Sequence, residues 1–331
     1  MRRLQSVIIF INTFITGRVM QSMKSEIVVA DGKVLHLGLA RGQLAENIFL
    51  VGDPARAIRV SEQFDSILCE VKNREFVTIT GSYNSLPVSV IGTGIGVDNV
   101  EIALVEAYTV HAFDLDSSER LPGRAPLKFI RIGTSAGVQD DIEAGTMAIS
   151  TYGLGLDNAG LYYDHPPADS IVTDIERQAF EILVNATPPE SRFREKILPY
   201  AAKASPDVAA ALADRAAALN IDHVTGITAA TPGFYGASGR YIDGLVNTVP
   251  DIKTQLSALQ VGEHRVVNME MESSLLFHIA GHLGCPAGTI CPIISKPTAS
   301  TAIPDYATSV DRAIKIALGA MCRLNNVRTS D

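Results

Sequence analysis

The sequence predicts an α/β protein: a three-layer αβα sandwich with a central mixed β-sheet. Three observations predict it. Short apolar runs alternate with helical patterns along the chain, and its 331 residues, 47% hydrophobic and 19% charged, suffice for a large core. No fixed-period repeat or low-complexity tract interrupts the alternation. The same composition gives little support to disorder, collagen or coiled coil.

The elements follow in order. Asn47–Val51 (NIFLV) is a short apolar run stopped by Gly52 and Pro54, which marks a buried strand. Leu86–Ile91 and Leu127–Ile132 repeat that pattern, and the helical pattern Asn99–Phe113 lies between them. Thr146–Thr151 is the next strand, followed by a helix over Pro206–Leu219 with proline at its first turn. Val224–Ala230, Val266–Met271 and Gly288–Ser295 complete the strands, with helices over Ser273–His282 and Asp311–Leu324. Asp114–Ala125 (DLDSSERLPGRA) is polar and carries Pro and Gly, so it reads as an exposed excursion; Asp164–Ser170 and Thr187–Ser191 are similar punctuation.

No segment reads as a domain boundary, so residues 26–331 are expected to form a single domain. Residues 1–25 are set apart. Arg2 and Arg3 precede the apolar run Val7–Ile15, as in a leader, and Met20 or Met23 offers an alternative start. That run is too short to span a bilayer, and no later segment reaches that length, so no membrane partner is expected.

Lys and Arg number 28 against 36 Asp and Glu, a formal net charge of −8. A field of that sign repels a polyanion, which argues against nucleic acid. A small anion is a different matter, since one or two placed arginines and a helix N-terminus decide such a site. Cys69, Cys285, Cys291 and Cys322 include no C-x-x-C pair, which fits reduced thiols in a cytoplasmic protein.

Several motifs carry chemistry, each with a bland counterpart. Gly92-Thr93-Gly94-Ile95-Gly96 sits between a strand and a helix. A dinucleotide fingerprint has different spacing and wants an acid at the end of the next strand, whereas Asp114 and Asp116 precede it. The alternative is a tight turn lining a pocket. Gly133-Thr134-Ser135-Ala136-Gly137 matches the G-x-S-x-G elbow of serine hydrolases, but a turn into a strand follows it where the elbow needs a helix. Its hydroxyls and N–H groups suit an oxyanion equally well. His278 and His282 have zincin-like spacing, but Ile279 stands where the catalytic Glu is needed.

Gly52-Asp53-Pro54-Ala55-Arg56-Ala57 follows a strand and opens a helical pattern, which favours an anion near Arg56. Arg131, at the end of another strand, is a second candidate for the same anion. In the bland reading Arg131 pairs with a nearby acid and Arg56 is solvated. Asn268-Met269-Glu270-Met271-Glu272 ends a strand, so Glu270 and Glu272 point the same way and can accept hydrogen bonds from sugar hydroxyls. A glycosidase pair needs carboxylates on opposite sides of the scissile bond, and the bland alternative makes Glu272 a helix N-terminal acid.

Together, Val34–Leu39 (VLHLGL), GDPARA, Asn73–Phe76 (NREF), GTGIG, Arg131–Gly137 (RIGTSAG), Phe234–Tyr241 (FYGASGRY) and Asn268–Ser273 (NMEMES) resemble the nucleoside phosphorylase-I family, and within it the uridine-cleaving members. The resemblance runs from Val34 to Leu324. It implies phosphorolysis of uridine to uracil and ribose 1-phosphate in pyrimidine salvage, with inorganic phosphate as co-substrate and no cofactor required.

The resemblance also assigns residues. It implies phosphate binding by Gly52, Arg56, Arg131 and Thr134, with Arg74 reaching in from a neighbouring subunit. His36 would come from the same neighbour to the ribose 5′-hydroxyl, so at least a homodimer is implied. Met271 and Glu272 would hold the other ribose hydroxyls, with Glu270 close by. Phe234 would pack on ribose and base, and Arg240 would bond the pyrimidine carbonyl, in a base pocket that includes Ser135 and Ser238. Arg56, Arg131 and Arg240 would be the catalytic charges. Glu75, Ile95 and Asn99 stand where a structural cation sits at the dimer interface.

The sequence departs from the pattern in two places. Ser238 replaces a Gln that reads uracil, and Ala136 replaces a Gly on the pocket floor. The purine-cleaving enzymes and nucleosidases of the family use an Asp after the last strand. Here that stretch reads Ile294-Ser295-Lys296-Pro297-Thr298, with no Asp until Asp305, and Lys296 suits an anionic pyrimidine carbonyl.

Overall fold

The computed structural model describes residues 25–296 and 306–328. The leader reading of residues 1–25 lies outside the described residues but for residue 25, as do Pro297, Thr298 and Asp305. No helix among the described residues is long and apolar enough to cross a membrane.

The chain builds a mixed sheet with helices on both faces. Its first half contains β3 (Asn47–Val51), α1 (Pro54–Ser61), β4 (Ser66–Asn73), β5 (Phe76–Tyr83), β6 (Leu86–Gly92), α2 (Val97–Ala112), β7 (Lys128–Ile132), β8 (Ser135–Gly137) and β9 (Met147–Gly155), after a small hairpin of β1 (Val29–Ala30) and β2 (Lys33–Val34). Its second half contains α3 (Ser170–Ala186), β10 (Tyr200–Lys203), α4 (Pro206–Ala218), β11 (His223–Ala230), α5 (Ile252–Ser257), β12 (Gln260–Val261), β13 (His264–Glu270), α6 (Ser273–His282), β14 (Ala287–Ser295) and α7 (Tyr306–Leu324).

Strand periodicity explains why the predicted strands lack polar alternation. In β3 all five residues are buried, yet Ile48 and Leu50 pack with α2 and α6 while Phe49 and Val51 pack with α1, α4 and α7. Both faces are covered, so both need apolar side chains. A third cluster packs α3 and α5 against β9, β11 and β13.

The sheet order is β10-β9-β11-β13-β8-β14-β7-β3-β6-β5-β4, with β12 on β13. β9 also pairs antiparallel with β14, so β14, β9, β11, β13 and β8 close into a ring. The branch point is Gly133-Thr134: β7 pairs with β3 and β14, and β8 then turns to pair with β14 and β13.

Several elements exceed the sequence reading. The β4–β5 hairpin is not among the elements read from the sequence; β4 is an edge strand whose first residues, Ile67 and Leu68 included, are exposed. α3 fills the space between two segments read as punctuation, with the Asp169 carboxylate accepting the Val172 N–H at 3.2 Å. β9 runs on to Gly155 and α7 begins at Tyr306. All four cysteines are free thiols.

Candidate active site

The site lies at the branch of the sheet. A cavity of about 880 Å³ is lined by Gly52, Arg56, Arg131, Thr134, Glu270, Met271 and Glu272 and by Phe234, Ser238 and Arg240. Ser135, Ala136, Glu75 and Ile95 also line it. Three residues assigned by resemblance stand outside this lining: Arg74, His36 and Asn99. Arg74 is exposed at the β4–β5 turn with φ of +53°. The His36 ring Nδ1 lies 2.6 Å from Glu106 Oε1, and the Glu106 carboxylate also accepts the His36 and Leu37 N–H groups.

Arg131 owes its place to the strand pleat. Leu127 and Phe129 pack on the α2–α6 face, and two residues on Arg131 meets the start of α6. Its guanidinium is buried against Glu272 and lies 3.2 Å from Glu270. Burial opposes its charge, but the two carboxylates outweigh that and hold its pKa above the ordinary value. Its Nε, also buried, has no hydrogen-bond partner among the described residues. Burial would raise the Glu272 carboxyl, but Arg131 and the Gly96 N–H, donated at 2.7 Å, take it below the ordinary range. Burial pushes Glu270 up to about 7, with Glu272 adding to the rise against the pull of Arg131.

Two expectations need correction here. The helix N-terminal acid is Glu270, whose carboxylate accepts the N–H groups of Glu272 and Ser273; Glu272 occupies the cap position but turns its side chain to Arg131 and Gly96. Strand geometry ends at Glu270, so the two carboxylates converge on Arg131 by the turn into α6 rather than by strand spacing. Lys296 is the second. Its ammonium bonds Glu143 at 2.7 Å and lies outside the lining, because β14 ends just before it and turns it toward the Glu143 loop.

Arg56 is half-buried and donates to the Ile132 carbonyl at 3.1 Å. Burial and then the Arg131 charge lower its pKa, so the two guanidiniums lie close together in the cavity, with Arg131 already paired to Glu272 as the bland reading of the sequence has it. The helix N-terminus beside them is partly satisfied already, since Asp53 accepts the Ala55 N–H at 2.9 Å. Also in the lining, Arg240 stacks on Phe234 at 3.8 Å and donates to the Phe234 carbonyl at 2.6 Å. Ser238 is buried and donates to the Gly233 carbonyl at 2.7 Å.

The glycine motif lines the pocket and binds Glu272 through Gly96, the tight-turn alternative of the sequence reading. Ser135 lies in β8 with its hydroxyl 3.4 Å from the Pro292 carbonyl, and no helix follows as an elbow needs. His278 accompanies His282 beside His165, with its Nε2 at the Tyr163 carbonyl. Among the described residues no group of three or more His, Cys, Asp and Glu side chains is arranged for a metal ion. Thr231, Tyr235 and Lys253 line the cavity unanticipated. Tyr235 falls within the Phe234–Tyr241 motif without having been singled out, whereas Thr231, on the loop after β11, and Lys253, on the short helix α5, sit outside any motif.

The cavity brings together two guanidiniums, two carboxylates and an aromatic ring stacked by a third guanidinium. The chain belongs to the phosphorylase superfamily, whose family model matches residues 47–324. It is 28% identical to a uridine phosphorylase of Thermococcus kodakarensis, over 80% of this chain and 78% of that one. The uridine phosphorylase of Escherichia coli is 26% identical over 89% of this chain and its own full length. A crystal structure of a Trypanosoma brucei nucleoside phosphorylase, described as showing uridine phosphorylase activity, superposes with a TM-score of 0.81 at 30% identity. That match covers 90% of this chain and 100% of the other.

Proposed function

We propose that this chain catalyses the reversible phosphorolysis of uridine to uracil and ribose 1-phosphate, with inorganic phosphate as co-substrate and no cofactor. The observation that carries this reading is the set of chemistries that line one cavity. Paired guanidiniums of Arg56 and Arg131 suit phosphate, Glu270 and Glu272 suit sugar hydroxyls, and the Phe234–Arg240 stack suits a flat polar base.

Phosphate binds beside Gly52 and Thr134 with the arginine charges fixing one oxygen toward C1′. The C1′–N1 bond stretches, the sugar gains oxocarbenium character, and the phosphate oxygen attacks C1′ while the bonding pair leaves with the base. No nucleophilic side chain is required, so the rate comes from positioning and preorganised charge.

Our reading extends to a homodimer in which Arg74 and His36 of one subunit complete the neighbour's site, to a single domain over residues 26–331, and to a cytoplasmic role in pyrimidine salvage. Ile95 at the cavity rim, 72% exposed, suits a covering partner. Glu75, the Ile95 carbonyl and Asn99 would offer oxygen donors to a hard cation at that interface; an added Cβ at Gly94 would lie 2.5 Å from Asn99 Nδ2 and 4.0 Å from Glu75 Cγ, so the donors are neighbours.

The test is uracil release from uridine with and without inorganic phosphate, with inosine as control. Phosphate-dependent cleavage of uridine alone is expected. Cleavage of inosine instead would make this a purine nucleoside phosphorylase, and cleavage without phosphate would make it a hydrolase.

A further inference from the structure

His36, which the resemblance assigns to the neighbour's site, is held by a side chain that no motif marks. Glu106 stands on α2, 70 residues further along the chain, and its carboxylate clasps the His36 segment. Oε1 lies 2.6 Å from the His36 ring Nδ1, and the two oxygens accept the His36 N–H at 3.0 and 2.9 Å. Oε2 also accepts the Leu37 N–H at 2.7 Å. Both oxygens thus face backbone donors, so the carboxylate meets the ring as an acceptor and Nδ1 carries the proton. The ring makes no other hydrogen bond among the described residues, which leaves Nε2 for a ligand. The His36 side chain is 30% exposed, enough for a ligand to reach it.

The carbonyls of the same segment are fixed by a second residue. Asn73 Nδ2 donates to the Leu35 and His36 carbonyls at 3.0 and 2.8 Å. Gly38 has φ of +65°, and an added Cβ there would lie 2.9 Å from Asn73 Cβ, so the chain passes directly against that side chain. Asn73 ends β4 and immediately precedes Arg74, while Val34, Leu37 and Leu39 are buried in the cluster that includes α2. The two residues that would reach the neighbour therefore rest on one packed base, and Glu106 is the part of it that grips the His36 ring.

We propose that Glu106 is the positioning residue for His36, fixing the rotation of the ring and the nitrogen that carries its proton so that Nε2 meets the 5′-hydroxyl of uridine in the neighbouring subunit's cavity. An imidazole free to turn or to change tautomer offers that bond only part of the time. The 5′-hydroxyl lies away from the breaking C1′–N1 bond, so a bond to it acts by holding the sugar in place for phosphate, and its loss appears in kcat/KM. This role rests on the uridine phosphorolysis and the shared site proposed above.

The experiment compares the full chain with Glu106→Gln on uridine and on 5′-deoxyuridine, which lacks the hydroxyl. Glutamine keeps the size of the side chain and one oxygen for the backbone N–H groups, but it takes from Nδ1 the acceptor that fixed its proton. Glu106→Gln is expected to lower kcat/KM about 10-fold on uridine and less than about twofold on 5′-deoxyuridine. Combined with His36→Phe it should cost no more than His36→Phe alone, as for two residues that act through one bond. An unchanged phosphate-induced rise in melting temperature shows that the variants fold with their anion site intact. An equal loss on both substrates, no loss on uridine, or a loss that adds to that of His36→Phe reduces Glu106 to a support for its own segment; each overturns the proposal and leaves phosphorolysis standing. The same follows if the unaltered chain cleaves 5′-deoxyuridine as well as uridine. If the unaltered chain fails to cleave uridine with phosphate present, both readings fall together.

Discussion

Glu272 and Arg131 form a buried ion pair that ties β7 to the start of α6, and the Gly96 N–H donates to the same carboxylate at 2.7 Å. One side chain thus joins a strand end, a helix start and the glycine turn before α2. Removing a partner from a buried pair leaves a charge without compensation, here softened by Glu270 at 3.2 Å. Glu272→Ala is expected to cost about 3 kcal/mol of unfolding free energy, measured by denaturant titration. A cost within the range of an exposed pair would mean that Glu270 alone balances Arg131.

Glu270 makes stability depend on pH in an unusual direction for a carboxyl. Burial raises its folded pKa to about 7 from 4.5, so between these values the folded chain binds a proton that the unfolded chain has lost. Its contribution is therefore full below the unfolded value and fades as pH rises through the folded one. Between about pH 5 and about pH 8 the unaltered protein should lose melting temperature relative to Glu270→Gln, which carries no such proton. Parallel pH profiles for the two would place the Glu270 pKa in the ordinary range.

Arg56 lies close enough to Arg131 for the Arg131 charge to work against its own, although Arg131 is itself paired with Glu272. Arg56→Met should therefore melt slightly higher than the unaltered chain in phosphate-free buffer. It should also weaken phosphate about 10- to 100-fold, read as the loss of phosphate-induced stabilisation in a thermal titration.

Gly133 is pressed against Arg131. A Cβ there would lie 2.7 Å from Arg131 Nη1 and 2.6 Å from the buried Cys291 sulfur. Gly133→Ala must move the guanidinium, and the expected result is a rise in KM for phosphate of about tenfold or more with a lower melting temperature.

Ser238 tests the departure from the family pattern. It is 4% exposed, and its hydroxyl is bonded within the loop, so a longer side chain has no room and breaks the Gly233 contact. Ser238→Gln should destabilise the protein by about 1–3 kcal/mol without lowering KM for uridine. Tighter uridine binding in that variant would show that the loop tolerates the longer side chain after all.

Much of this architecture is legible in the sequence because it depends on local pattern. Asn47–Val51 and Ser273–His282 coincide with β3 and α6, since burial on both faces and a short apolar helix leave unbroken signatures. The edge strand β4 left none, because one side meets solvent and its register comes from β5. Motif residues at strand ends, among them Gly52, Arg131, Thr134 and Glu272, meet in one cavity because they stand where parallel strands end.

The sequence by itself determined the α/β class, the two arginines and two glutamates, and the glycine turn, because each follows from chain neighbours within a strand or a turn. Only the tertiary structure decided that Glu270 caps α6 while Glu272 takes Arg131, that Lys296 is held by Glu143, and that Lys253 lines the cavity. Those outcomes depend on which side chains meet across distant segments when the sheet closes through β9 and β14, and spacing along the chain carries no record of that closure.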